Sequence, residues 1–433
     1  MASTSADQAA SATPAHRGAL LIVFLTVFID LLGFGIVLPV MPRQAEPYLT
    51  ALGLSPIAIG ATIGILFSVF SLMQFIFSPM WGRISDSIGR RPMLLLSLLG
   101  SVVFYALYGY AVTFPADRAA TALALMLLSR VGAGIAGASV GTAAAVIADC
   151  TTPENRARGM ALIGIAFGAG FTLGPLIAYF GLALFQQQPW GVGALASMLS
   201  FVALLIAIFV FKETRRPGAR AAKEFPSMSR TAAVLRMPRV GTLVLIYFLS
   251  IFSFANFEAT LARLTESAFS MTDDGNFLVF AFIGFMLMLA GGFYRPLAKR
   301  LPETRLLATG ITLMILGLGG VGLVAWAVHG GAAGNATYLD KLFYAAAALA
   351  VAGFAFVNPS VSALISKSAD ADRQGEVLGV NQSFASLGRI LGPFVGSMLF
   401  AMNTAHTLPF VAAVAVLAFV ATLLPRLGNT AER

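Results

Sequence analysis

The sequence predicts an all-α membrane protein with twelve transmembrane helices, arranged as two six-helix bundles related by a pseudo-two-fold axis. Three observations predict it. Of the 433 residues, 58% are hydrophobic and only 11% charged, with a mean hydropathy of +0.85, whereas soluble domains carry about 25% charged residues. Apolar runs recur along the chain at about the 20 residues needed to cross a hydrocarbon core of about 30 Å. The second half also repeats the first: Ile147, Gly170, Gly174 and Pro175 recur at one constant offset as Ile365, Gly388, Gly392 and Pro393. Repeats related by an axis along the membrane normal place a site near the midplane between halves.

Taken in order, residues 1–17 are rich in Ala, Ser and Thr and read as a disordered tail, since no basic start leads into a short apolar stretch with a cleavage site. Spans follow at 18–42, 57–81, 93–113, 121–148, 158–184 and 191–211, and make a first bundle over 18–211. The polar segment 212–240 reads as a linker. The second bundle, 241–424, holds spans at 241–263, 276–297, 305–328, 339–365, 375–400 and 407–424, and 425–433 is a short tail. The 43 Gly suit close helix contacts in lipid.

Lys and Arg gather in alternate connections. One side collects Arg17; Arg83, Arg90 and Arg91; Arg156 and Arg158; the basic stretch within 212–239; Lys299, Arg300 and Arg305; Lys367 and Arg373; and Arg426 and Arg433. The other holds Arg43, Arg118, Arg263 and Lys341. The positive-inside rule therefore puts both termini and the linker in the cytoplasm, and topology rather than nucleic acid explains the net charge of +9.

Several chemistries are unsupported. Cys150 is the single cysteine, so no internal disulfide or thiol pair can form. His16, His329 and His406 lie at helix ends or in a tail, no carboxylate spacing suggests a metal enzyme, and no Walker-type loop for ATP is present. The expectation is a carrier with no catalytic residues, no metal and no cofactor.

After the second span the chain reads Gly82-Arg83-Ile84-Ser85-Asp86-Ser87-Ile88-Gly89-Arg90-Arg91-Pro92. Two glycines permit a tight turn, Pro92 starts the next helix, and Asp86 can face helix N-termini or Arg90 and Arg91. This stretch resembles the GxxxDxxGRRP signature of the major facilitator superfamily. Gly82, Asp86, Gly89, Arg90 and Arg91, with Asp149 at the end of the fourth span, are the gating candidates; a plain positive-inside loop would explain only the arginines. The corresponding stretch of the second half, 295–305, lacks the Asp, which implies asymmetric gating.

Ser129-Arg130-Val131-Gly132-Ala133-Gly134 resembles the superfamily's RxxxG motif. Gly170-Phe171-Thr172-Leu173-Gly174-Pro175 is similar to the GxxxGP motif of its proton-driven antiporters, although close helix packing explains those small residues equally well. With Phe28-Ile29-Asp30-Leu31-Leu32-Gly33-Phe34-Gly35 in the first span, the chain resembles the twelve-helix drug:proton antiporters, the tetracycline efflux proteins in particular. The likeness covers the first half strongly and the second mainly at Ser386-Leu387-Gly388-Arg389-Ile390-Leu391-Gly392-Pro393. Phe254-Ala255-Asn256-Phe257-Glu258-Ala259-Thr260-Leu261 departs from it, so substrate choice does not carry over. Gly170, Gly174, Pro175, Gly388, Gly392 and Pro393 are the expected helix-packing residues.

Ionisable residues inside a bilayer are functional candidates by default, because burying them is costly. Of 19 carboxylates, only Asp30 and Glu258 fall well inside spans, and both are expected proton-coupling residues. Asp30 lies near the midplane by helical rise; the bland alternative is a satisfied structural carboxyl. Glu258 could instead bind a cation or simply pair with Arg263. Arg130 and Arg389 are also mid-span and need partners; Arg130 is expected to couple to Asp30, while Arg389 either binds an anionic substrate or neutralises a carboxylate. Both are assigned to a substrate cavity with Gln74, Asn256, Asn358, Asn381 and Gln382, each of which could instead hydrogen-bond across a helix pair. The 35 Phe and 16 Met are compatible with an adaptable, greasy pocket without implying one.

The expectation is a monomeric secondary transporter in a bacterial inner membrane. It would export small amphipathic or drug-like compounds in exchange for protons, and so act in multidrug efflux and antibiotic resistance. One alternative keeps the fold but carries organic anions on Arg389 and Arg263, and another is a membrane receptor or scaffold that binds without transporting.

Overall fold

The computed structural model describes residues 14–151, 156–214, 228–331, 336–368 and 374–428, which form helices with no strand. In chain order these are α1 (Pro14–Val37), α2 (Met41–Ala51), α3 (Pro56–Ile88), α4 (Arg90–Ala111), α5 (Ala119–Ala136), α6 (Val140–Cys150), α7 (Arg156–Leu184) and α8 (Gly191–Val210). They continue as α9 (Met228–Leu235), α10 (Pro238–Phe269), α11 (Asp273–Ala298), α12 (Glu303–His329), α13 (Ala336–Ser368), α14 (Gln374–Met402), α15 (Leu408–Leu423) and α16 (Pro425–Gly428). Eleven stretches among the described residues are long and apolar enough to span a membrane. The twelfth spanning helix is α7, 29 residues long, with Gly168–Leu184 its apolar part.

The expected spans are present, with four departures. The short helix α2 follows α1, where the sequence suggested only a connection. The span at 121–148 is broken by a 3-10 turn at Gly137–Ser139, so α5 and α6 are its two halves. The segment 212–240 contains α9, packed against the start of α10. Finally, α3 runs to Ile88, so Gly82 to Ile88 is helical rather than a loop. Only Gly89, at φ +112°, makes the turn into α4, a backbone conformation that glycine adopts at little cost. Gly82 is helical and has open space where a side chain would be; its expected role in a tight turn is therefore corrected. Most of the expected tails, Arg156 and Arg158 at their side chains, and the middle of the linker lie outside the described residues.

Each half is built on the same contact. In the first, Gly170 and Gly174 of α7 press on α1, where a methyl group at Gly170 would lie 2.7 Å from Leu31 Cβ and one at Gly174 2.9 Å from the Leu32 carbonyl oxygen. In the second, Gly388 and Gly392 of α14 press on α10, and methyl groups there would lie 2.9 and 2.6 Å from the Phe248 and Phe252 carbonyl oxygens. Small residues let these backbones touch, which is how helices associate in lipid without a hydrophobic driving force.

Two seams join the halves. Across α3 and α14, Gly60 and Gly64 receive the backbone around Phe394 and Ser397, and the Ser68 hydroxyl donates to the Ile390 carbonyl oxygen at 2.5 Å. Across α7 and α11, Gly284 abuts the backbone of Phe171 and Thr172.

Candidate functional site

Asp30 of α1 is 4% exposed. Its two carboxylate oxygens are held separately: Ser101 Oγ of α4 donates to Oδ1 and Ser139 Oγ donates to Oδ2, both at 2.9 Å. The Tyr105 hydroxyl donates to the Asp30 carbonyl oxygen at 3.3 Å, and the ring of Tyr105 fills the space beside Gly33 that a side chain there would need.

Ser139 belongs to the break between α5 and α6, and the break has a physical basis. Leaving α geometry frees backbone carbonyls that must find donors inside the membrane. Three side chains supply them: Trp81 Nε1 donates to Ile135 O at 2.5 Å, Ser97 Oγ to Ala136 O at 2.7 Å, and Gln74 Nε2 to Gly137 O at 3.0 Å. Gln74 is thus committed to the break. Beyond it, α6 begins directly after Ser139 and carries Asp149 near its end.

Asp149 completes the charge cluster of the motif. Arg90 Nη1 pairs with Asp86 at 2.5 Å and its Nε with Asp149 at 3.1 Å, and Nη1 also donates to Ser85 Oγ at 2.6 Å. Glu213 accepts the backbone N–H groups of Arg90 at 2.9 Å and Arg91 at 3.1 Å, so a carboxylate from the end of the first half sits at the N-terminus of α4, where the helix dipole favours it. The Arg91 guanidinium turns away from Asp86 and donates to Ile208 O at 2.8 Å.

Arg130 is 2% exposed and, among the described residues, has no ion-pair partner. Its guanidinium lies over Phe70 at 4.6 Å and Phe34 at 5.5 Å, a cation–π setting, with Tyr105 and Tyr108 within electrostatic reach. The expected coupling of Arg130 to Asp30 is thus not a direct ion pair in this structure. The serines already satisfy Asp30, and Tyr105, which touches its backbone, lies within electrostatic reach of both charges.

In the second half, Glu258 of α10 is partly exposed and, among the described residues, has neither a hydrogen bond nor an ion pair within 4.0 Å. Arg389 of α14 lies within electrostatic reach of Glu258 and of Tyr247, yet its one hydrogen bond is Nη2 to Ser386 Oγ at 3.1 Å. The Tyr247 hydroxyl donates to Asn358 Oδ1 at 2.8 Å, and Phe254 stacks on Phe354 with ring centroids 3.9 Å apart. Asn358 and Gln382 are exposed.

The cavity assignments of Asn256 and Asn381 are corrected. Asn256 is fully buried and ties α10 to the Pro409 carbonyl oxygen, at 3.0 Å. Asn381, 1% exposed, is enclosed by protein.

At the end of the molecule away from the termini, a second charge cluster crosses between halves. Arg43 of α2 pairs with Glu266 at 3.2 Å and with Asp273 at 2.6 Å, and Arg263 pairs with Glu46 at 3.5 Å. Glu258 is thus not the partner of Arg263, because Glu46 reaches Arg263 from the other half. Arg263 also lies over Phe400 at 4.8 Å, and His406 stacks on the same ring at 4.0 Å. Burial holds the His406 imidazole below the usual histidine range. Among the described residues, the ion pairs given at the end bearing the termini stay within one half, as with Lys367 and Glu303, while those at the far end cross between halves.

Residues 23–393 match the profile of the Major Facilitator Superfamily. The chain belongs to that superfamily. Among relatives of this major facilitator protein, the Bos taurus protein named major facilitator superfamily domain-containing protein 10 is 31% identical over 439 residues, covering 88% of this chain and 86% of that one. The class E tetracycline resistance protein of Escherichia coli is 31% identical over 391 residues, covering 88% and 87%. The crystal structure described as the human organic anion transporter MFSD10 (TETRAN) is 27% identical, covers 94% of this chain and 99% of its own, and superposes with a TM-score of 0.61. A D-xylose–proton symporter superposes with a TM-score of 0.77 at 14% identity, over 95% of this chain and 97% of its own, which shows the fold alone. The chain is a membrane transporter of small molecules, not an enzyme.

The fold therefore brings together Asp30 with the α5–α6 break, Asp86 with Arg90 and Asp149, Glu258 with the field of Arg389, and Asn358 with Tyr247. Sequence reasoning missed Ser101, Ser139 and Tyr105, which look like ordinary small or aromatic residues of a span. It also missed the far-end latch, although Glu46, Glu266 and Asp273, beside Arg43 and Arg263, are a visible concentration of both signs at the ends of spans.

Proposed function

We propose that the protein is a proton-coupled exporter of small amphipathic compounds, acting by alternating access in a bacterial inner membrane with its termini in the cytoplasm. One observation carries this reading: Asp30 is a membrane-embedded carboxyl whose oxygens are held by two hydroxyls and, among the described residues, by no cation. Such a carboxyl can take and release a proton without first breaking an ion pair. On protonation it no longer needs both donors, and the bond it yields includes Ser139, at the head of α6. The other end of α6 carries Asp149, bound to Arg90. Proton loading at Asp30 is thereby linked through one rigid helix to the charge cluster at the cytoplasmic end. The halves rock about the α3–α14 and α7–α11 seams, and the far-end latch corresponds to the inward-open state. The likeness to tetracycline resistance proteins supports the direction of transport.

The test is proton flux from proteoliposomes holding a trapped pH dye, challenged with cationic, neutral and anionic amphiphiles. Substrate-triggered proton movement is expected in the wild type and lost in Asp30→Asn. Uphill accumulation of substrate by Asp30→Asn under an imposed pH gradient would rule out the role of Asp30, and binding with no flux would favour a receptor.

A second reading, an organic-anion carrier, is favoured by Arg389, which has no ion-pair partner among the described residues, and by the likeness to a protein described as an organic anion transporter. On that reading, Arg389→Ala abolishes binding of anions and spares neutral compounds. Arg263 leaves this reading, since it belongs to the latch.

A further inference from the structure

The membrane interior of the second half holds two opposite charges that do not pair. Removing a charge from water costs several kcal/mol, and a buried cation and anion normally recover this by direct contact. Other buried charges have a counterpart in the protein: Asp30 is held by two serines, Arg130 lies over two aromatic rings, and Arg263 at the far end pairs with Glu46. Glu258 and Arg389 lie within each other's field but have no N···O approach within 4.0 Å. Glu258 has no protein partner among the described residues, and Arg389 has only the Ser386 hydroxyl.

The geometry between them is specific. Gly388 contacts Phe248 and Ile251, and Gly392 contacts Phe252 and Asn256, which sets Arg389 beside the stretch of α10 between Tyr247 and Glu258. Tyr247, Phe254 and Glu258 follow one helical stripe, at spacings of seven and four. On α13, Phe354 and Asn358 are also four apart. The Phe254–Phe354 stack and the Tyr247–Asn358 bond join the two stripes. The result is an aromatic shelf flanked by a carboxylate that has no protein partner among the described residues and a guanidinium held there only by the Ser386 hydroxyl, with exposed polar groups beside it.

We propose that Glu258 and Arg389 form a two-charge substrate site for zwitterionic amphiphiles, the cationic end seated on Glu258, the anionic end on Arg389 and the apolar body along Phe254 and Phe354. A dipolar ligand completes two unsatisfied charges at once, whereas a singly charged one leaves the opposite site charge uncompensated. The proposal rests on reading this region as the substrate site, and does not depend on proton coupling.

The test is equilibrium binding of three probes sharing one fluorophore and similar chains: Nε-dansyl-lysine (zwitterion), dansylcadaverine (cation) and dansyl-6-aminohexanoate (anion). It uses the full chain in nanodiscs with no gradient, so failure of proton coupling leaves the result intact. The wild type is expected to bind the zwitterion about tenfold tighter than either analogue, the scale of one charge-assisted contact. Glu258→Gln should bring the zwitterion to the level of the anion, and Arg389→Gln to the level of the cation. Glu258→Asp and Arg389→Lys, which keep the charges, should retain part of the preference and report on variants that fold poorly. Equal affinity for all three probes, tighter binding of the anion, or a zwitterion preference that survives both charge removals would overturn the proposal.

Discussion

Asp30 and Glu258 are both carboxylates inside a span, and what separates them is their partners. Asp30 has a hydroxyl on each oxygen, whereas Glu258 has none. Replacing Ser139 by Ala leaves one oxygen of a buried carboxylate unpaired, a loss of about 1.5–3 kcal/mol for a hydrogen bond to a charged group. Substrate-driven proton flux of Ser139→Ala in proteoliposomes should therefore fall by about tenfold or more, with substrate affinity changing little, because the Ser139 hydroxyl bonds Asp30 and not Glu258 or Arg389. Unaltered flux would show that Ser101 alone suffices to hold Asp30. Both carboxylates were legible in the sequence, since a charge in an apolar run is conspicuous. Their difference was not: serines are common in membrane helices, and only packing decides which hydroxyl meets which oxygen.

At the scale of elements, the sequence gives lengths and order, but contacts decide what a glycine is for. Gly82 stands in a recognised motif, yet it is helical with nothing near it. Gly64 stands in no motif, yet a methyl group there would lie 2.7 Å from Phe394 Cα and 3.1 Å from the Pro393 carbonyl oxygen, backbone atoms that cannot easily yield. Gly82→Ala should thus keep transport and leave the protein as stable or up to about 1 kcal/mol more stable, read as a maintained or raised unfolding temperature. Gly64→Val should block closure of the α3–α14 seam and cut transport by about tenfold or more, as misfit at a tightly packed contact costs about 1–3 kcal/mol. The break between α5 and α6 was similarly illegible. Gly137, Ala138 and Ser139 are small and apolar enough to continue a span, and the donors that make the break affordable come from α3 and α4.

At the scale of the molecule, the decisive feature is that, among the described residues, three ion pairs cross between the halves at the far end. Arg43→Ala with Glu46→Gln removes all three far-end pairs. Partly exposed pairs contribute about 0–1 kcal/mol each, so their joint loss should shift the population toward the far-end-open state by up to about a hundredfold. The check is the labelling rate of Ser397→Cys, a buried seam position, by an impermeant maleimide applied from the far side in a Cys150→Ser background. Faster labelling in the latch variant is the expected outcome. An unchanged rate would mean that the glycine seam alone holds that end closed.

The sequence by itself determined the membrane setting, the order of the spans, the duplicated half and the family, because hydropathy, charge placement and motif spacing are local properties written along the chain. It also marked Asp30, Arg90, Glu258 and Arg389, because a charge inside an apolar run stands out without knowledge of its neighbours. Tertiary structure alone decided that Asp30 is held by serines and not by Arg130, that Arg263 meets Glu46 and not Glu258, and that Glu258 and Arg389 approach without pairing. Electrostatic and hydrogen-bond energies depend on ångström separations between residues far apart in the chain, and helix packing is what sets those separations.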